Sequence, residues 1–232
     1  MSERKNSYDI SFEQYRTLYD DSERAAGIGR IGLCLGDIAM RFAQTERVPR
    51  YTPETRENDA EHSYMLALVS AEVASQYFPQ LDTGLVSQFA IVHDLLELET
   101  GDVATFNISD DALKAKASAE HDALKRLVSR LPRHTAMLLE VYEEQQVPEA
   151  RFVRFIDKFM PVIVDILGSG SKVMHEDYET YTLTDLAESE DKMKKRFEKM
   201  FPDPEFSVLH IARHSLARKF EDVFEPAPFI EG

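Results

Sequence analysis

The chain has 232 residues, of which 43% are hydrophobic and 30% charged, with 42 acidic against 27 basic side chains and a formal net charge of −15. That length can bury a full core in one large domain, while the acidic excess argues against binding a nucleic-acid polymer, which needs clustered cations to displace counterions. No apolar run reaches the ~18–20 residues of a membrane span, the amino-terminal MSERKNSYDIS lacks the apolar stretch of a secretory leader, and the single Cys34 permits no internal disulfide. The expected compartment is therefore the reducing cytoplasm.

Nine glycines, ten prolines, no tryptophan and long 3.6-residue periodicities predict helix nearly throughout. In chain order the helices are expected at about 11–46 (with a break near Gly27–Gly29), 59–78, 83–98, 109–131, 134–146, 149–167, 183–200 and 205–222. Pro49, Pro53, Pro79, Gly101, Pro132, Pro148, Pro202 and Pro204 supply the interruptions. No stretch alternates with period two for long enough to suggest a sheet. Gly168-Ser169-Gly170-Ser171 is expected as a flexible loop, because the Lys-Ser/Thr and helix that complete a phosphate cradle do not follow it. The organisation expected is all-α. An amino-terminal helical segment (1–46) packs on a core (47–167), helices over 168–224 complete the bundle, and 225–232 form a flexible tail.

Four ionisable residues fall where a helix of a globular protein should be apolar. His62 heads a stripe that continues through Met65, Leu66, Val69 and Val73, and His93 shares one with Val86, Phe89 and Leu96. Asp94 follows about 100° around the helix and can converge with His93 on one ion. Asp157 lies in line with Val153, Met160 and Val164, whereas Arg154, Lys158, Pro161 and Asp165 occupy the face expected to meet solvent. A buried, unmatched carboxylate is costly, and a metal or a cationic partner removes that cost. Taken singly, each residue has a structural explanation. Two histidines and two aspartates turned inward on three helices together suggest a divalent cation, with Mn, Co, Zn, Fe or Mg all suited to imidazole and carboxylate donors.

Glu61-His62-Ser63, then Val92-His93-Asp94-Leu95-Leu96-Glu97 with Thr100-Gly101-Asp102, then Ile156-Asp157-Lys158 resemble the HD-domain phosphohydrolases, and within them most resemble the 5′-deoxynucleotidase branch. The resemblance runs from about Arg47 to Leu167. It implies that His62, His93, Asp94 and Asp157 are metal ligands and that Glu97 and Asp102 are active-site acids. Upstream, Arg56-Glu57-Asn58-Asp59-Ala60-Glu61-His62 resembles the family's Thr-Glu-Asn-x-x-Glu-His. Arg47-Val48-Pro49 falls where the branch carries Arg-Trp-Pro, with Val48 standing in place of the aromatic.

The resemblance implies a compact HD-domain bundle with flanking helices that hydrolyses phosphate from a small nucleotide, most simply a (deoxy)nucleoside 5′-monophosphate. Arg47 and Arg56 would bind the substrate. A triphosphohydrolase acting on dNTPs and a nucleotide-binding module without activity are the alternatives, and a homodimer is compatible with the sequence. His121 is considered as an additional ligand of a two-metal site and set aside.

Overall fold

The computed structural model of the protein describes residues 21–100 and 121–227. The chain divides into two compact units, Met1–Met40 and Arg41–Gly232, and every site residue discussed below lies in the second.

The first helix described, α1 (Asp21–Phe42), runs through Gly27 and Gly29 without a break and ends earlier than expected. A two-stranded antiparallel sheet follows, β1 (Glu46–Thr52) and β2 (Thr55–Asn58), where no sheet is expected from the sequence; the other elements described are helices, as expected. The Thr52 hydroxyl closes its turn by accepting from the backbone N–H of Glu54 and Thr55 at 3.3 and 3.1 Å. The pairing is irregular between Glu46 and Thr52, so the strands carry no clean alternation for a sequence pattern to reveal.

Helix α2 (Asp59–Tyr77) starts directly from β2, with Asn58 as its N-cap and Glu61 completing the capping box. Helix α3 (Thr83–Val92) is capped by the Asp82 carboxylate, which accepts from Gly84 and Leu85. It stops at Val92, not at 98. Leu95 N–H donates to Val92 C=O at 3.1 Å and Glu97 N–H to Asp94 C=O at 2.9 Å, a three-residue spacing that tightens the chain through His93–Leu96 before the short α4 (Glu97–Thr100). Residues 121–128 are helical, and the remainder of the helix expected over 109–131 lies outside the described residues up to 120.

Helices α5 (Arg133–Glu144) and α6 (Pro148–Leu167) agree with expectation. Gly170, expected in a flexible loop, instead opens helix α7 (Gly170–Asp177). A Cβ at Gly168 would run into the backbone carbonyl of Arg50, so a side chain there is incompatible with the approach of β1 to the end of α6. Helices α8 (Leu183–Met200) and α9 (Ser207–Val223) follow. Glu225 N–H donates to Ser171 Oγ and Ala227 N–H to the Tyr181 carbonyl, both at 2.9 Å, so the expected tail is fastened at its start.

Helix α6 is the axis of the core. It contacts α2, α3, α5, α7, α9 and β1, and Phe152, Val153, Phe155, Ile156 and Met160 along it are fully buried. Phe155 meets Phe197, Phe201 and Phe206 in tilted and edge-on ring contacts, which pin the α8 end and the α9 start against it. This burial fixes the rotation of α6 and with it the direction of Asp157. Asp165 corrects the sequence reading: it is 7% exposed and does not face solvent.

Candidate metal centre

Three segments bring the inward residues together. The capped first turn of α2 presents His62, the tightened chain after α3 presents His93 and Asp94, and the middle of α6 presents Asp157; all four are buried. His62 Nε2 lies 3.1 Å from Asp157 Oδ1, His93 Nε2 lies 2.8 Å from Asp94 Oδ2 and 3.7 Å from Asp157 Oδ1, and the two imidazole centroids are 5.2 Å apart. Donor atoms of His62, His93 and Asp94 fall within 4.8 Å of one another.

The His93 ring tests whether this set suits a cation. Its Nδ1 is 2.8 Å from the carbonyl oxygen of Ala90, and since a carbonyl only accepts, Nδ1 carries the proton. Nε2 is left buried, without a hydrogen bond among the described residues, and directed at two carboxylate oxygens. Lone pair against lone pair is repulsive, and only a proton or a cation among these atoms makes the approach favourable. A divalent ion fits that demand.

Charge balance around the cluster points the same way. Burial works against a charge on His62, yet the carboxylates of Asp157 and Glu57 hold its pKa at about 9. Burial likewise opposes ionisation of Asp94 and Asp157. Asp94 is nevertheless held well below the usual carboxylate range by His93, and Asp157 by Lys158 and the two histidines. Without metal, His62 keeps its proton beside the ionised Asp94 and Asp157, and a metal would take the place of that proton.

Two cations adjoin the carboxylates. Arg47, on β1, reaches Asp94 Oδ2 at 2.7 Å and Asp59 Oδ1 at 3.0 Å through Nη1, and its Nε lies 3.5 Å from Glu57 Oε2. Lys158, expected on a solvent face, turns its Nζ back to Asp157 Oδ2 at 2.7 Å while its stem remains half exposed. Glu97 sits at the start of α4, where a carboxylate oxygen falls within 4.8 Å of donor atoms of Asp94 and Asp59.

Arg56 is placed elsewhere. Its guanidinium donates to the Val48 carbonyl and to Asp177 Oδ1, both at 2.8 Å, tying the hairpin to α7. Asp102 lies outside the described residues. His121 is described and exposed, and it belongs to neither group of potential metal donors found among the described residues.

Glu57 and Asp59 are the neighbours that sequence reasoning passed over. Glu57 and Asp59 are each 1% exposed, but Arg56-Glu57-Asn58-Asp59 reads as a charged, solvated approach to a helix, and nothing in its periodicity separates inward from outward carboxylates. Lys158, expected on the solvent face of its helix, reaches Asp157 instead.

A helical bundle closed around a buried histidine–aspartate centre is the class that fold and site define. The HD-domain family model matches residues 41–201, more than half of the chain, and the chain belongs to that family. The match extends past the expected core boundary at Leu167 and takes in α7 and α8. Among solved structures, the chain is similar to a protein described as a predicted metal-dependent phosphohydrolase from Magnetospirillum magnetotacticum MS-1. The two share 23% identity and a TM-score of 0.61, over 94% of this chain and all of that one, a likeness that shows the fold. None of the curated proteins matches the chain significantly. The family and the donor set together make the cofactor a divalent metal ion. Among the described residues, no helix is long and apolar enough to cross a membrane.

Proposed function

We propose that the protein is a metal-dependent phosphohydrolase that releases orthophosphate from (deoxy)nucleoside 5′-monophosphates. The observation that carries this reading is the buried His93 Nε2, fixed by Ala90 and aimed with His62 at Asp94 and Asp157. These four residues would hold the ion. When bound, a divalent cation supplies Lewis acidity, polarising a phosphoryl oxygen and making water a nucleophile near neutral pH.

The protein's own groups do the rest. Arg47, oriented by Glu57, Asp59 and Asp94, would neutralise the phosphate and hold it in register, with Lys158 adding charge from the far side of Asp157. Glu97, beside Asp94, would orient the attacking water and accept its proton, or return one to the leaving oxygen. Asp102 would share that task.

The substrate class follows from charge. A monophosphate brings one dianionic group, which a metal with Arg47 and Lys158 can balance. A triphosphate brings about four charges to a chain at −15 and needs a wider basic surface. Arg50 and Arg56, the other basic residues of the hairpin, are drawn to Glu176 and Asp177, whereas Arg47 and Lys158 face carboxylates of the centre itself, which favours the smaller substrate. The test incubates the purified protein with Mn, Co or Mg and follows the products from dAMP and dATP side by side. Orthophosphate from dAMP is the expected result. Triphosphate from dATP with dAMP untouched would replace this substrate with the triphosphate, and absence of hydrolysis with every metal would favour a binding module.

A further inference from the structure

Glu57 is the buried residue of β2, 1% exposed, and none of the local roles open to a carboxylate beside a helix start employs it. Asn58 already caps α2, and Glu61 already completes the capping box. Its direction is set by the strand: Arg56, the residue before, is bonded outward to Val48 and Asp177, so Glu57 turns to the opposite side. There its Oε2 lies 3.5 Å from His62 Nδ1 and 3.5 Å from Arg47 Nε, two buried nitrogens that, like Oε1, meet no hydrogen-bond partner among the described residues.

Arg47 accounts for one side of this carboxylate, since Asp59 and Asp94 serve its Nη1 and leave its Nε to Glu57. His62 accounts for the other. Its Nε2 points at Asp157, and the carboxylate of Glu57 is what stands at its other nitrogen. A ligating imidazole needs its second nitrogen protonated and held, or the ring loses both its tautomer and its orientation.

We infer that Glu57 is a positioning residue, which accepts the Nδ1 proton of His62 and the Nε–H of Arg47 on one carboxylate and so locks the metal ligand and the phosphate-binding arginine to a common anchor. The inference rests on the metal centre proposed above. It assigns Glu57 no contact with substrate or metal.

The experiment measures Mn2+ affinity by chelator competition for the wild type, Glu57→Gln, Glu57→Leu and His93→Ala. Glutamine keeps an oxygen that can accept from Nδ1–H; leucine removes the acceptor while filling the space, which protects the fold. Glu57→Leu is expected to bind Mn2+ about 10–100-fold more weakly, the scale for losing the outer partner of a ligating histidine, with Glu57→Gln recovering most of the loss. In zinc-loaded, 15N-histidine-labelled protein, the Nδ1 proton of His62 should be observed in the wild type and Glu57→Gln, and lost to exchange in Glu57→Leu. Thermal melts of the metal-free variants report the fold separately. Wild-type affinity in Glu57→Leu beside abolished binding in His93→Ala would overturn the role of Glu57 and leave the centre standing. Equal losses in Glu57→Leu and Glu57→Gln would overturn it too, since acceptance of the proton would then not matter. Undiminished binding in His93→Ala would remove the centre and the inference with it.

Discussion

At the scale of single residues, the side chains around Asp94 divide by what they can give. In the proposed centre, imidazole nitrogens and the Asp157 carboxylate would give lone pairs to a cation, whereas Glu97, at the start of a short helix beside Asp94 and Asp59, would handle a proton. Glu97→Ala is therefore expected to keep its bound Mn2+, measured by elemental analysis after gel filtration, and to lose roughly 10²-fold or more in turnover, the usual scale for a general acid–base residue. Loss of the metal itself would make Glu97 a ligand. Asp165 supports a different expectation. Burial first, then the nearby charges of Glu57 and Glu190, push its pKa up to about 7 from an ordinary 3.8. Below the ordinary value both folded and unfolded chains hold the proton. As pH rises toward 7 the unfolded chain releases it first, so stability present at low pH is lost through that window. Asp165→Asn should flatten the decline and raise the melting temperature at pH 8 by about 2–4 °C for each kcal/mol recovered; an unchanged or lower melting temperature at pH 8 would contradict it. The inward direction of His62, His93 and Asp157 was legible from helical stripes. That of Asp165 was not, because it follows Pro161 on a stripe with Arg154 and Lys158, and only the packing of α7 and α9 against that side of α6 covers it.

At the scale of elements, the long helices were readable because their apolar faces repeat every 3.6 residues and their ends carry capping or proline signals, as at Asn58 and Pro148. The hairpin was not. It offers seven and four residues, includes Pro49, and owes its direction to contacts with α6 and α7 from distant sequence. The stop of α3 at Val92 was equally hidden, since Leu95 and Leu96 extend the apolar stripe past the point where the backbone tightens. Gly168 marks where β1 presses on the end of α6: Ser169 N–H donates to the Arg50 carbonyl at 3.0 Å, and a methyl at 168 would collide with that same carbonyl. Gly168→Ala is expected to cost about 1–3 kcal/mol, as overpacking does, read as a lowered melting temperature. Because β1 also carries Arg47, KM for the proposed nucleotide substrate should rise more than kcat falls. A melting temperature within a degree of wild type would show that the approach can relax.

At the scale of the whole molecule, the proposed ligands join segments far apart in the chain: His62 and Asp157 are separated by 95 positions. An ion bound there holds α2, the turn after α3, and α6 in one arrangement, and stabilises the fold by linkage. At a hundredfold excess over Kd, Mn2+ should add about 2.7 kcal/mol, which in a domain of this size is a rise of about 5–10 °C in melting temperature. EDTA should reverse it. Asp157→Ala and His93→Ala should lose the shift together with activity while retaining far-ultraviolet helicity, and a full shift in either would remove that residue from the ligand set.

The bonds from the hairpin to the later part of the chain bear on how far the protein can be trimmed. Arg50 is joined to Glu176 at 2.9 Å and Arg56 to Asp177 at 2.8 Å, so the strand that delivers Arg47 is guyed to α7, a helix beyond the last of the proposed ligands. A truncation after Leu167 would keep His62, His93, Asp94 and Asp157 yet cut both stays, leaving the strand of Arg47 to β2 and α6 alone. The minimal working fragment therefore has to extend at least through Asp177, and an engineered fusion or split of this protein should place its junction outside the stretch from Arg47 to Asp177.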